Sequence, residues 1–126
     1  MVSYRSPLSQ AKGLGSAKDG TLHFWYQRLT AIALIPLVLW FGFGFASLPG
    51  DYHSMISYIQ HPIVAIGLIL LITMVFYHAR LGVQVVLEDY VSSPAKRTIL
   101  IILTGFICLV GALVGMLAVI TIFIGT

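Results

Sequence analysis

The sequence predicts an all-α membrane protein with three transmembrane helices. Of its 126 residues, 59% are hydrophobic and only 9% are charged, and the mean hydropathy is +0.99. A water-soluble domain of this length carries more charge than that. Three apolar stretches are each long enough to cross a hydrocarbon core, which takes about 20 helical residues. Because backbone amides in lipid need partners within their own segment, each stretch is expected to be a helix.

The three spans are expected at about residues 24–46, 62–87 and 98–124, where apolar residues run nearly without interruption. The residues before the first span contain serines, glycines and three basic side chains ahead of the first acid. We therefore divide the chain into an interfacial N-terminal arm, residues 1–22, and a three-helix transmembrane domain, residues 23–126.

The basic residues predict the orientation of the chain. The loop of residues 47–61 contains none of them. All seven lie before or at the first span or around the second connection: Arg5, Lys12, Lys18, Arg28, Arg80, Lys96 and Arg97. By the positive-inside rule, the amino terminus lies inside, in the cytoplasm or in the matrix of a mitochondrion. These residues are too scattered to form a continuous basic face, so a nucleic-acid partner is not expected.

The strongest candidate for chemistry is His78, an ionisable side chain inside the second span. A neutral imidazole offers a lone pair to iron or another metal. Gly82, one turn further on, leaves room for a flat macrocycle or a neighbouring backbone. Asp89 and Tyr90 lie at the end of the span, about 18 Å from His78 along a helix, and can hydrogen-bond a small molecule. The residues predict two linked sites, a deep metal centre and a shallower pocket.

Simpler interpretations of the same residues stay open. A membrane histidine such as His78 can hydrogen-bond a neighbouring carbonyl or hydroxyl group without binding a metal. Tyr90 can be an interfacial anchor, and Arg28 and His23 can do the same at the start of the first span. On composition alone, these interpretations lead for Arg28 and His23.

A partner subunit is expected on physical grounds. Three helices cannot enclose a cofactor as large as haem, which often needs a second axial ligand. With Cys108 as its only cysteine, the chain cannot hold a four-thiolate iron–sulfur cluster, so any such cluster belongs to a partner. Gly111 and Gly115 form a GxxxG pair, which favours close helix packing but is weak support for a partner.

Two parts of the sequence resemble the small hydrophobic membrane-anchor subunit of succinate dehydrogenase, respiratory complex II. One is His78 with Gly82, followed by Asp89 and Tyr90. The other resembles the alphaproteobacterial version and consists of Gly15-Ser-Ala-Lys-Asp-Gly20 followed by His23, Trp25, Gln27, Arg28, Leu29, Thr30 and Ala31. Together they cover roughly a quarter of the chain and are fairly specific in combination.

The resemblance implies that His78 is an axial iron ligand of a haem b, shared with a second cytochrome b anchor subunit. It also implies that Arg28 lies near a haem propionate or the quinone, with His23 a weaker candidate for the same site. Tyr90 would donate a hydrogen bond to a ubiquinone carbonyl, with Asp89 beside it. The chain would dock an iron–sulfur subunit and a flavoprotein subunit, which hold the clusters and the FAD, and it would not be catalytic alone.

The implied function is that of the membrane anchor of succinate:ubiquinone oxidoreductase, a multi-pass protein among lipids of the bacterial inner membrane or the mitochondrial inner membrane. Two alternatives are kept. One is the anchor of a fumarate reductase type complex that uses menaquinone. The other is a non-redox structural membrane subunit, in which His78 has only a packing role.

Overall fold

The structure is a computed structural model that describes the backbone of residues 16–126 and the side chains of residues 21–126. This part of the chain forms four helices. They are α1 (Ser16–Ala46), α2 (Tyr52–Ile59), α3 (Pro62–Tyr90) and α4 (Pro94–Ile124). Three segments are long and apolar enough to cross a membrane: Thr21–Ala46, Pro62–Tyr90 and Pro94–Ile124. The predicted all-α, three-span fold is confirmed.

The helices extend beyond the predicted spans. Helix α1 begins at Ser16, within the residues assigned to the arm, and the first fifteen residues of that arm lie outside the described part. Helix α3 continues to Tyr90, and α4 begins at Pro94. Hydropathy locates only the stretch that lies in hydrocarbon, whereas a helix can continue into the interface until it is capped. Pro94 occupies a first-turn position, where its missing N–H costs no hydrogen bond.

Helix α2 lies in the connection that was expected to be a loop. Asp51 is its N-cap, and the carboxylate accepts hydrogen bonds from the Ser54 backbone N–H at 2.9 Å and the Ser54 hydroxyl at 2.7 Å. This arrangement satisfies one of the donors that a helix start leaves unpaired. The first connection is therefore an ordered part of the fold.

Helix α3 is the central element, because it makes the main contacts with both α1 and α4. The buried cluster lies near the α2 end of the bundle and consists of Val64, Ala65, Leu68, Leu71 and Val119. Most other large apolar side chains on the three long helices are exposed. Such a surface suits contact with lipid or with helices of another subunit.

The GxxxG pair packs helices of the same chain together. Gly111 of α4 faces the ring of Phe76 in α3, and a Cβ built on Gly115 would lie 3.1 Å from Ile72 Cγ2. The small residues thus let α4 approach α3 closely. This packing lies within the chain and does not by itself indicate a partner.

Candidate functional site

His78 lies on the side of α3 that meets α1. Its Nδ1 atom is 2.9 Å from Thr30 Oγ1, a contact between residues 48 positions apart in sequence. Thr30 is a buried polar residue with 6% of its surface exposed. Its Oγ1 atom also lies 2.9 Å from the carbonyl oxygens of Tyr26 and Gln27. The imidazole is therefore held at a defined place between two helices.

A pocket of about 330 Å³ opens beside the imidazole, lined by Phe24, Gln27, Arg28, Ala31 and His78. The guanidinium carbon of Arg28 lies 5.0 Å from the centre of the Phe24 ring, within the range of a cation–π interaction. An imidazole can bind a metal, and a guanidinium can pair with a carboxylate or phosphate. The pocket thus places an imidazole and a guanidinium side by side, next to the apolar side chains of Phe24 and Ala31.

Gly82 follows His78 by one turn and faces the same neighbouring helix. A Cβ built on Gly82 would lie 3.8 Å from Gln27 Nε2, which is an ordinary van der Waals distance. A methyl group would therefore fit at this position, and neither a close helix approach nor a flat macrocycle is required by the contacts within this chain.

His23 lies earlier on α1 and does not line the pocket that contains Arg28 and His78. Its Nε2 atom is buried and has no hydrogen-bond partner among the described residues. A buried polar atom without a partner costs free energy, so this nitrogen suits a donor or acceptor from a bound group or another subunit. The structure brings Arg28 and His78 together but leaves His23 apart from them.

Asp89 and Tyr90 lie at the carboxyl end of α3, on the same continuous helix as His78. Both are exposed, Tyr90 by 84%. The rise of an α-helix places Tyr90 about 18 Å from His78 along the axis. The predicted site residues therefore fall into two main groups, with Arg28 and His78 where α1 meets α3, and Asp89 and Tyr90 at the carboxyl end of α3.

Thr30 and Gln27 were predicted only as members of a motif, and Phe24 had no predicted role. A signal was available, because Gln27 and Thr30 are polar residues three positions apart, which places them on the same side of a helix. Within the described residues, no group of three or more His, Cys, Asp or Glu side chains could hold a metal ion.

Comparison with known proteins assigns the family. The family model described as succinate dehydrogenase/fumarate reductase transmembrane subunit matches residues 2–114. A Rickettsia bellii protein named succinate dehydrogenase hydrophobic membrane anchor subunit is 41% identical over 100 residues, which cover 79% of this chain and 80% of the relative. A protein of the same name from Rickettsia conorii is 31% identical, over 87% of this chain and 89% of the relative. Another from Paracoccus denitrificans is 28% identical, over 79% of this chain and 78% of the relative. The chain therefore belongs to the succinate dehydrogenase/fumarate reductase transmembrane subunit family, with alphaproteobacterial relatives, as its two motifs predicted.

Proposed function

We propose that the chain is the hydrophobic membrane anchor subunit of a succinate dehydrogenase, in the inner membrane of a bacterium or a mitochondrion. Its family and the names of its relatives support this function, as do its three helices of membrane-spanning length. The chain docks a flavoprotein subunit and an iron–sulfur subunit, which hold the FAD and the clusters. Electrons taken from succinate by those subunits reduce ubiquinone at their boundary with the anchor.

The more specific part of the proposal is a haem site, and it rests on the position of His78. Its Nδ1 atom contacts Thr30, so Nε2 is the ring nitrogen that can bind a metal, and Arg28 lines the pocket beside it. These residues fit a haem b, with His78 as axial ligand and Arg28 pairing with a propionate. A second cytochrome b anchor subunit would supply the other iron ligand and the remaining walls of the site. When bound, the haem supplies a site that accepts and releases single electrons.

His23 is a weaker candidate for the same site. Its buried Nε2 atom has no partner among the described residues and could hydrogen-bond a propionate or a residue of the second anchor. It does not line the pocket with Arg28 and His78, however, so its role would depend on groups that approach from outside this chain.

Ubiquinone is proposed to bind at the carboxyl end of α3. The Tyr90 hydroxyl donates a hydrogen bond to a quinone carbonyl, and the Asp89 carboxylate orients the quinone or takes part in the proton path to quinol. Tyr90 is 84% exposed, so partner subunits have room to complete the pocket around it. Three residues separate this end of α3 from α4, which has Lys96 and Arg97 in its first turn.

The reduced-minus-oxidised optical spectrum of the purified complex tests this proposal. His78→Ala should lose or shift a b-type haem signal, because it removes the axial nitrogen. His61→Ala is the matched control, since His61 is an exposed histidine at the start of α3, outside the pocket. A haem signal unchanged by His78→Ala would refute His78 as ligand. If the native complex has no haem, succinate-to-quinone activity separates a haemless anchor from a structural protein.

Two alternative functions predict different results. The family description covers fumarate reductase as well, so a menaquinone-linked anchor is the first alternative. Assays of the complex with ubiquinone and menaquinone analogues, in both directions, separate these enzymes. A non-redox structural subunit is the second alternative, and it predicts that His78→Ala costs stability and leaves every optical and catalytic signal of the complex unchanged.

A further inference from the structure

We infer that Thr30 is a positioning residue for His78: it holds the imidazole in the tautomer that carries its proton on Nδ1 and leaves Nε2 free of one. The inference about the tautomer follows from contacts within this chain. Its consequence for metal binding rests on the proposed function. Thr30 therefore acts on the site through His78, without touching the bound group.

The Thr30 hydroxyl has a single proton to donate. Three atoms lie 2.9 Å from Thr30 Oγ1: the carbonyl oxygens of Tyr26 and Gln27, and His78 Nδ1. The two carbonyl oxygens can only accept a hydrogen bond. A threonine within a helix commonly donates its hydroxyl proton to the carbonyl three or four positions earlier. With its proton directed there, the hydroxyl oxygen presents a lone pair to Nδ1.

It follows that Nδ1 is the donor in the contact with Thr30. If Nδ1 carried no proton, either two lone pairs would face each other at 2.9 Å or the hydroxyl would have to turn away from both carbonyl oxygens. In the neutral imidazole a proton on Nδ1 leaves Nε2 as the acceptor. Because a metal can bind either unprotonated ring nitrogen, Nε2 is then the nitrogen available to it.

Burial strengthens the preference of His78 for a proton on Nδ1. Thr30 is 6% exposed, so water has little access to compete for the contact with Nδ1. A hydrogen bond in a low-dielectric interior is electrostatically stronger than one in water. The branched threonine side chain is also stiff at χ1, which keeps Oγ1 in place. The imidazole is thereby fixed in both tautomer and orientation before any ligand binds.

A hydrogen bond donated by Nδ1 also makes Nε2 a stronger ligand. Partners of this kind orient a ligating histidine and raise its basicity, and their loss typically lowers metal affinity or activity about 10–100-fold. A more basic ligand favours the ferric over the ferrous state. Removing the Thr30 hydroxyl should therefore weaken haem retention and shift the haem midpoint potential upward.

The test compares three variants of the purified complex. Thr30→Val keeps the shape of the side chain and removes the hydroxyl, whereas Thr30→Ser keeps the hydroxyl. Thr73→Val is the matched control, because Thr73 lies on α3 and its hydroxyl donates to Ile69 O at 2.8 Å, away from His78. Haem retention, the midpoint potential and the low-spin electron paramagnetic resonance spectrum are measured for each.

We expect Thr30→Val to retain haem about 10–100-fold more weakly, with a higher midpoint potential and an altered resonance spectrum. Thr30→Ser and Thr73→Val should resemble the native complex. Where His78→Ala loses or shifts the haem signal, the inference is wrong if Thr30→Val matches the native complex in retention and potential. It is also wrong if Thr30→Ser is as impaired as Thr30→Val, because the hydroxyl would then not be the cause.

A second measurement needs no haem. Nitrogen NMR of the full chain, labelled at histidine and reconstituted without haem, reports which ring nitrogen of His78 carries the proton. Native chain and Thr30→Ser should show the proton on Nδ1, and Thr30→Val should populate the Nε2 form. A proton on Nε2 in the native chain would refute the inference. If instead the tautomer is as inferred but His78→Ala keeps its haem, the haem proposal fails and the inference stands.

Discussion

The indole ring of Trp40 in α1 packs directly over Gly67 in α3. A Cβ built on Gly67 would overlap the six-membered part of that ring, so the absence of a side chain allows this approach. Trp40 also packs against the buried cluster that includes Val64 and Leu68. The contact fixes the spacing of α1 and α3 near α2, while Thr30 and His78 connect the same two helices farther along.

Gly67→Ala is therefore expected to destabilise the protein, because the Trp40 ring or the helix backbone must move. Overpacking of this kind typically costs about 1–3 kcal/mol. Gly42→Ala is the matched control, since nothing lies within 4 Å of a Cβ at Gly42. That change should be neutral or slightly stabilising. Thermal unfolding followed by circular dichroism measures both, and equal stability of the two variants would contradict the packing argument.

The contact between Gly111 and Phe76 predicts a coupled pair of substitutions. Gly111→Ala should destabilise the packing of α4 on α3, because its new Cβ would meet the Phe76 ring. Phe76→Leu replaces the ring and should relieve part of that cost. In a double-mutant cycle, the coupling free energy is expected to be about 0.5–3 kcal/mol. Strictly additive effects on unfolding would show that the two residues do not meet.

The number and order of the long helices could be predicted because each span is a long apolar run, but their ends could not be taken from hydropathy alone. Helix α2 is eight residues long and lies between Pro49-Gly50 and Pro62. A hydropathy window of about 20 residues, the length of a membrane span, therefore averages the hydropathy of α2 with that of its neighbours. The local signal was Asp51, a good N-cap residue three positions before the Ser54 donor.

The candidate site was predictable only as a set of residue types. His78 and Arg28 stand out as charged or ionisable groups in apolar segments, and the structure places both at one pocket. The contact between Thr30 and His78 depends on how α1 and α3 are rotated and aligned relative to each other. The sequence of either helix alone does not determine this arrangement. The role of Tyr90 depends on surfaces of other chains and stays a prediction.

Tyr90→Phe should slow quinone reduction and leave the haem spectrum unchanged. The substitution removes one hydroxyl that is proposed to bond the quinone carbonyl, and an effect of about tenfold corresponds to about 1.4 kcal/mol. Tyr52→Phe is the control, because Tyr52 is 80% exposed and lies on α2 near the other end of α3. Steady-state kinetics with varied quinone measure both variants. Native kinetics in Tyr90→Phe would remove Tyr90 from the quinone site.

Acid should loosen the start of α2. The backbone N–H of Ser54, and then its hydroxyl, donate to the Asp51 carboxylate and hold the pKa of Asp51 below its usual value of about 3.9. The pKa of Asp51 is lower in the folded chain than in the unfolded chain. The cap therefore stabilises α2 fully at pH values above the unfolded-state pKa, and this stabilisation is lost as the pH falls through the folded-state pKa. Amide hydrogen exchange at Ser54 should therefore lose protection below about pH 4, after allowance for the intrinsic pH dependence of exchange.

Asp51→Asn separates this effect from general acid unfolding. Asparagine is also a favourable N-cap residue, but its amide does not titrate in this range. The variant should keep its Ser54 protection in acid while the native chain loses it. An identical acid response in both chains would show that the Asp51 carboxylate is not the titrating group.

The predicted orientation can be tested with cysteine reporters. Cys108 is the only native cysteine, so Cys108→Ser provides a background without thiols in this chain. Ser57→Cys on α2 and Ser92→Cys in the connection to α4 place single thiols at exposed positions at opposite ends of α3. The basic pair Lys96 and Arg97 lies near Ser92, so the positive-inside rule puts that thiol inside.

A membrane-impermeant maleimide should label Ser57→Cys in intact spheroplasts and label Ser92→Cys only after the membrane is opened. Labelling of Ser92→Cys from outside would reverse the orientation. It would also undermine the quinone proposal, because Tyr90 lies two residues before Ser92 and would then face away from the side where succinate-oxidising subunits dock. The His78–Thr30 contact lies within the bundle and would be unaffected, so this labelling separates the quinone proposal from the haem proposal.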